Sequence, residues 1–207
     1  MKLHKTKKNC GKLLLGILVF CTGMILLTGC SSSSEQKQNK NEETAEENKE
    51  KDKVQIGLTV DSFVIERWIR DRDVFVATAR ELGAEVNVQD AGADVKEQIS
   101  QIEYFISKQV DVIVVIARDC GALSDAIQKA QSAGIPVISY DRMVNNANTD
   151  LYISFDNRKV GEIMAQALVN ALPQGGDVFM IQGSSSDNNV RMVKQGFDDM
   201  LADTCEL

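Results

Sequence analysis

Residues 84–117, AEVNVQDAGADVKEQISQIEYFISKQVDVIVVIA, hold two β-rich runs on either side of one helical segment. The runs, 84–89 and 111–117, are short and rich in valine and isoleucine, the side chains that suit a pleated, buried surface. Between them Val95, Ile99, Ile102 and Ile106 recur at spacings of 4, 3 and 4, which puts them on one helical face. Strand, helix, strand is the unit of a parallel sheet, because the chain must cross back over the sheet before the second strand can run with the first.

The same alternation extends outward from this unit. Further strands are predicted at 54–60, 135–140, 150–155 and 177–182. Leu123, Ile127 and Ala130 form a helical stripe that Gly134 ends just before Pro136. Val160, Ile163, Ala167 and Ala171 form another, as do Val190, Val193, Phe197 and Leu201, and Trp68, Phe75, Ala79 and Leu82 give a looser one. The fold class is α/β, a parallel sheet flanked by helices on both faces. No later strand follows 177–182 to pair with it, and an unpaired edge invites aggregation, so a truncated or split chain is expected.

Ahead of this region, residues 1–30 read as a processing signal. Lys2, Lys5, Lys7, Lys8 and Lys12 precede an apolar run from Leu13 to Leu27, about 15 residues against the roughly 17–25 that a spanning helix needs. Leu27-Thr28-Gly29-Cys30 resembles a lipobox, in which the Cys30 thiol receives a lipid and anchors the chain to a membrane. Residues 31–53 contain Ala45 as their one apolar side chain and are expected to form a disordered tether, with a reach of roughly 25–30 Å. Export to the outer face of a cell membrane, or to a periplasm, follows from that arrangement.

Charge and composition then exclude several function classes. The chain has 23 basic and 30 acidic residues; removing the five signal lysines leaves 18 against 30, a net of −12. Such a surface repels nucleic acid. His4, the one histidine, lies in the signal, and Cys120 and Cys205 are the cysteines left beyond Cys30. A metal site or a histidine-based catalytic arrangement is not expected, and both cysteines read as unpaired. Neither G-x-G-x-x-G nor G-x-x-x-x-G-K-[ST] follows the first strand, so nucleotide phosphates lack their backbone cradle and no cofactor is called for.

In open α/β sheets ligands bind beyond the carboxyl ends of the strands. The residues there are Asp61, Glu66, Arg67 and Trp68 after the first strand, Arg118 and Asp119 after the third, and Asp141 and Arg142 after the fourth. Asp187, Asn188 and Asn189 follow the sixth. Carboxylates accept from adjacent hydroxyls, guanidiniums donate in a fork and amides do both, which matches the needs of a sugar. Several of them also have a structural reading: Trp68 as a core residue instead of a stacking platform, Asp141-Arg142 as a salt bridge, Asp187 as a helix cap, Arg118-Asp119 as a solvated loop. Asp141 and Asp187 as a glycosidase pair would need a separation that sequence does not set.

Several motifs in order resemble the D-xylose-binding proteins of bacterial ABC transport systems. They are Ile65-Glu66-Arg67-Trp68 with Asp71-Arg72-Asp73, Ser139-Tyr140-Asp141-Arg142-Met143, Tyr152-Ile153-Ser154-Phe155-Asp156-Asn157, Val160-Gly161-Glu162, Pro173-Gln174-Gly175, and Gly183 to Asn189 with its Asp-Asn-Asn ending. The resemblance, from about Val54 to about Leu201, implies a periplasmic-binding-protein type I fold of two lobes closing on one sugar, with no bond made or broken. It implies a first lobe over 54–155, a hinge crossing near Ser154 to Asp156, and the start of an incomplete second lobe over 156–207. The implied sugar contacts are Arg67, Asp141 and Arg142 from the first lobe and Asp187 and Asn189 from the second, with Trp68 a candidate beside them. Ala117-Arg118-Asp119-Cys120 departs from a Pro-Tyr-Asn-like alternative, which leaves the sugar preference open there. Because the family continues well beyond Leu207, the chain alone is expected to bind sugar weakly or not at all. The implied partners are a monosaccharide, D-xylose first, and an ABC permease or the outer part of a sensor kinase; a repressor of this fold would need a DNA-binding segment where residues 1–53 stand.

Overall fold

The computed structural model describes residues 53–204. The signal, Cys30, the tether up to residue 52 and Cys205 lie outside the described residues. Within them, five strands form one parallel sheet: β1 Gln55–Val60, β2 Glu85–Asp90, β3 Val112–Ile116, β4 Val137–Tyr140 and β5 Leu151–Ile153, in the order β2-β1-β3-β4-β5. The helices are α1 Glu66–Glu81, α2 Val95–Ser107, α3 Ser124–Ser132, α4 Asn157–Ala171 and α5 Asn188–Thr204.

Strand β3 shows why the sheet must be covered twice. Ile113 and Val115 enter a core with Ile102 and Phe105 of α2 and Ala126, Ile127 and Ala130 of α3, whereas Val114 and Ile116 enter a second core with Leu58 and Val60 of β1 and Trp68 of α1. Alternate residues of one strand thus supply both cores, as the unbroken apolar run at 112–116 demands. Gly57 allows Phe105 to lie close on β1, since a Cβ there would stand 2.6 Å from the ring. The side chain of Asp94 caps α2 by accepting from the backbone N–H of Lys96 at 2.7 Å and of Glu97 at 3.2 Å. Gly134, at φ +81°, ends the α3 turn where a side chain would be strained.

Three expectations need correction. Residues 177–182 form no strand: they make no ladder with any described strand, and Phe179 and Ile181 are 100% and 98% exposed. A strand exists through its neighbour's hydrogen bonds, and this apolar run has none here. Leu82 is exposed because it is the C-cap of α1, beyond the face that buries Trp68 and Ala79. The stripe Val160, Ile163, Ala167 and Ala171 faces outward; α4 instead buries Gly161 and Ala165, packing chiefly against α5. The two helices cross with main chains nearly touching, since a Cβ on Gly161 would stand 1.9 Å from Val193 O and one on Gly196 2.0 Å from Arg158 O.

Candidate functional site

Because β1, β3 and β4 run the same way, their carboxyl ends bring Asp61, Arg118, Asp141 and Arg142 to one edge of the sheet. The first turn of α1 adds Arg67 and Trp68, and the entry to α5 adds Asp187 and Asn189. Hydrogen bonds and ion pairs join these groups.

Arg67 lies across Asp141, with Nη1 3.2 Å from each carboxylate oxygen and Nε 3.3 Å from Asp71 Oδ2. The Tyr140 hydroxyl donates to the same Asp71 oxygen at 3.1 Å. Burial acts to lower the pKa of Arg67, but the charge and hydrogen bond of Asp141, then the charge of Asp71, outweigh it and raise it above its usual value. Burial, followed by the charge and hydrogen bond of Asp71, holds the Tyr140 phenol above its usual value, so it remains a donor at neutral pH.

Asp141 is 5% exposed and sits at φ +61°, a left-handed conformation that costs a non-glycine residue about 1 kcal/mol or more. Three donors on its carbonyl oxygen hold it there: Ser154 Oγ at 2.7 Å, Tyr152 OH at 3.2 Å and Asn189 Nδ2 at 3.2 Å. Asn189 Oδ1 is buried and accepts no hydrogen bond.

Arg142 forms the second centre. Its Nη1 donates to Asp61 Oδ2 at 2.7 Å and to Ala117 O at 3.2 Å, and its Nε is 3.0 Å from Asp187 Oδ2. Arg118 Nε stands 3.6 Å from Asp61 Oδ1, an ion pair too long for a hydrogen bond, and that oxygen accepts none. Asp187 also caps the turn into α5, its Oδ1 accepting from Asn189 N at 2.9 Å.

Trp68 is 3% exposed, a core residue beneath the rim, with the guanidinium carbons of Arg67 and Arg142 at 4.5 and 5.6 Å from its ring centre. Its Nε1 has no hydrogen-bond partner. Three other rim residues do not join the network. Glu66 pairs with Arg70 in solvent, Asp119 accepts from Gly121 N and Ala122 N, and Asn188 turns to Met143 and Arg191. Sequence reasoning did not single out Asp71, Tyr140, Tyr152, Ser154 and Phe155 as site residues. The i, i+4 spacing of Arg67 and Asp71 on a helix was the available signal for one of them.

A cavity of about 130 Å³, open to one side, is lined by Arg67, Tyr140, Asp141, Ile153, Ser154 and Phe155. A larger apolar cleft of about 210 Å³, between α4, α5 and residues 180–183, lacks these charged groups. Cys120 is a buried free thiol.

A family described as a periplasmic binding protein domain matches residues 56–207. The chain belongs to the periplasmic binding protein family. It is 48% identical over 143 residues to the D-xylose-binding periplasmic protein of Escherichia coli K12, an overlap that takes in 69% of this chain and 43% of that one. It is 38% identical over 144 residues to the multiple sugar-binding periplasmic receptor ChvE of Rhizobium radiobacter, covering 67% and 41%. Among solved structures, an ABC transporter solute-binding protein from Clostridium phytofermentans with bound β-D-glucose superposes with a TM-score of 0.68 at 28% identity, over 72% of this chain and 49% of the other. The chain therefore spans less than half the length of these relatives, and its parallel sheet with flanking helices is the lobe architecture of periplasmic sugar-binding proteins.

Proposed function

We propose that this chain carries the sugar-binding front lobe of an ABC-transporter substrate-binding protein, taking D-xylose or a related monosaccharide at the rim. The lobe spans 54–155, and 156–207 begin the second. Arg67, Asp141, Arg142, Asp187 and Asn189 would meet the sugar hydroxyls, with Trp68 as the floor. Export and a lipid anchor at Cys30 would hold the lobe outside the cell beside its permease.

The observation that carries this reading is the pair of guanidinium–carboxylate centres, Arg67–Asp141 and Arg142–Asp61–Asp187, at the edge where parallel strands end. Their charges nearly balance, which suits a neutral ligand, and fixed donors beside fixed acceptors suit its adjacent hydroxyls. No step of bond making enters. The cavity is open on one side, whereas tight small-molecule sites enclose roughly 70–90% of their ligand, so the described lobe is expected to bind weakly.

Trp68 is the one tryptophan in the sequence, so tryptophan emission excited beyond tyrosine absorption reports on this rim. Titrating the full chain with D-xylose should give a saturable change in emission that Asp141→Asn abolishes. Absence of any response to D-xylose and to a panel of other monosaccharides at millimolar concentration, by fluorescence and by calorimetry, would end the reading that this chain itself takes a sugar at the rim.

A further inference from the structure

Two of the five N–H donors of Arg142 are committed by hydrogen bonds inside the chain, both on Nη1, to Asp61 and Ala117 O, and its Nε is held in an ion pair with Asp187 at 3.0 Å. The two on Nη2 make no hydrogen bond to any described residue. Asp61 is the more deeply set of the two carboxylates paired with this arginine, at 2% exposure against 14% for Asp187. It directly follows β1, so the sheet fixes its place. Its second oxygen, buried and without a hydrogen bond, faces Arg118, whose side chain is 37% exposed.

We infer that Asp61 is the positioning carboxylate of the site. It does not touch the sugar; it orients Arg142 so that the Nη2 donors face the ligand, and it holds Arg118 loosely at the rim as a specificity-determining donor. The inference rests on the sugar reading above. A guanidinium anchored at Nη1 and Nε has its plane fixed, so its remaining donors point one way before any ligand arrives. Arg118, held by one ion pair of 3.6 Å, can turn to whichever hydroxyl a particular sugar presents.

The test is a double-substitution cycle in the full chain, read by Trp68 emission without sugar and by D-xylose affinity. Because the Arg142 guanidinium lies 5.6 Å from the Trp68 ring centre, releasing it should shift the emission. Asp61→Asn is expected to shift that emission and to weaken sugar binding about ten-fold. In an Arg142→Gln background the same substitution should change neither, since Asp61 acts through Arg142. The double variant removes both charges of the Asp61–Arg142 pair together, and the remaining carboxylate, Asp187, is partly exposed and keeps its hydrogen bond from Asn189 N, so the double variant should fold even where Asp61→Asn alone does not. Arg118→Gln should keep the ligand-free emission yet alter the relative affinities for pentoses and hexoses, a change that a purely structural role does not produce. Equal losses from Asp61→Asn in both backgrounds, or no effect of it in either, overturn the inference. If the unsubstituted chain answers no sugar, the sugar reading falls separately, and the emission cycle alone decides the coupling of Asp61 to Arg142.

Discussion

Replacing Gly161 by alanine sets two effects against each other. In an isolated helix the change would help by about 1 kcal/mol, because glycine loses the most backbone freedom on ordering. Here the added methyl would stand 1.9 Å from Val193 O and 2.7 Å from Phe197 N. Both are main-chain atoms of α5, so no side-chain rotation relieves the contact. Ordinary contact begins near 3.4 Å, and the shortfall from 1.9 Å means that α4 and α5 must part by about 1.5 Å. Overpacking costs about 1–3 kcal/mol, and a clash against rigid backbone belongs at the upper end, which leaves a net loss of about 1–2 kcal/mol after the propensity gain. Gly176→Ala is the control, since beyond its adjoining residues the nearest atom to its methyl would be Leu172 Cδ1 at 3.8 Å and the expected change is within about 0.5 kcal/mol. Hydrogen exchange on the full chain is the assay of choice, because α4 and α5 pack chiefly against each other. Amides of these two helices should exchange faster in Gly161→Ala while those of β1 and β3 stay as they were. Equal or greater protection of α4 and α5 would refute the reasoning.

Two further outcomes are expected. Accepting a hydrogen bond from the Val137 backbone N–H, and then one from Gln131, lowers the pKa of Asp150. Its contribution is therefore complete above the ordinary aspartate value, about 3.9, and is lost as pH falls through the lower folded value. The difference in urea midpoint between the unsubstituted chain and Asp150→Asn should be constant above about pH 5 and narrow below about pH 4; a constant difference across that range contradicts it. Ser154→Ala removes the shortest of three hydrogen bonds to the Asp141 carbonyl and should cost about 1 kcal/mol in thermal unfolding, and unchanged stability would show that Tyr152 and Asn189 suffice.

The sheet was largely legible because its strands are buried on both faces and so are written as unbroken apolar runs. β3 at Val112–Ile116 falls within the expected 111–117, and Leu123, Ile127 and Ala130 are all fully buried as their spacing requires. Periodicity failed where it had to name a partner. It marks the face of α4 that is apolar, but Gly161 and Ala165 meet α5 because small side chains permit the closest approach. Residues 177–182 have strand composition, and composition does not supply the neighbour that makes a strand. At the site, the strand-end rule placed Arg67, Asp141 and Arg142 at one rim, whereas Asp187 and Asn189 reach it from the entry to α5 although the strand expected before them does not form; the family resemblance, not the rule, singled out these five. The rule could not show that Asp61 lies under Arg142, because that pairing joins residues 81 positions apart through the fold.

The carbonyl of Asp141 draws its donors from Tyr152, Ser154 and Asn189. A chain that leaves the ribosome N-terminus first has the five described strands once Ile153 has emerged, but the third of those donors comes only with residue 189. Building the scaffold and finishing the grip are thus separate events in time. A nascent chain paused between them would carry these five strands with the backbone of its central rim carboxylate still incompletely tied down.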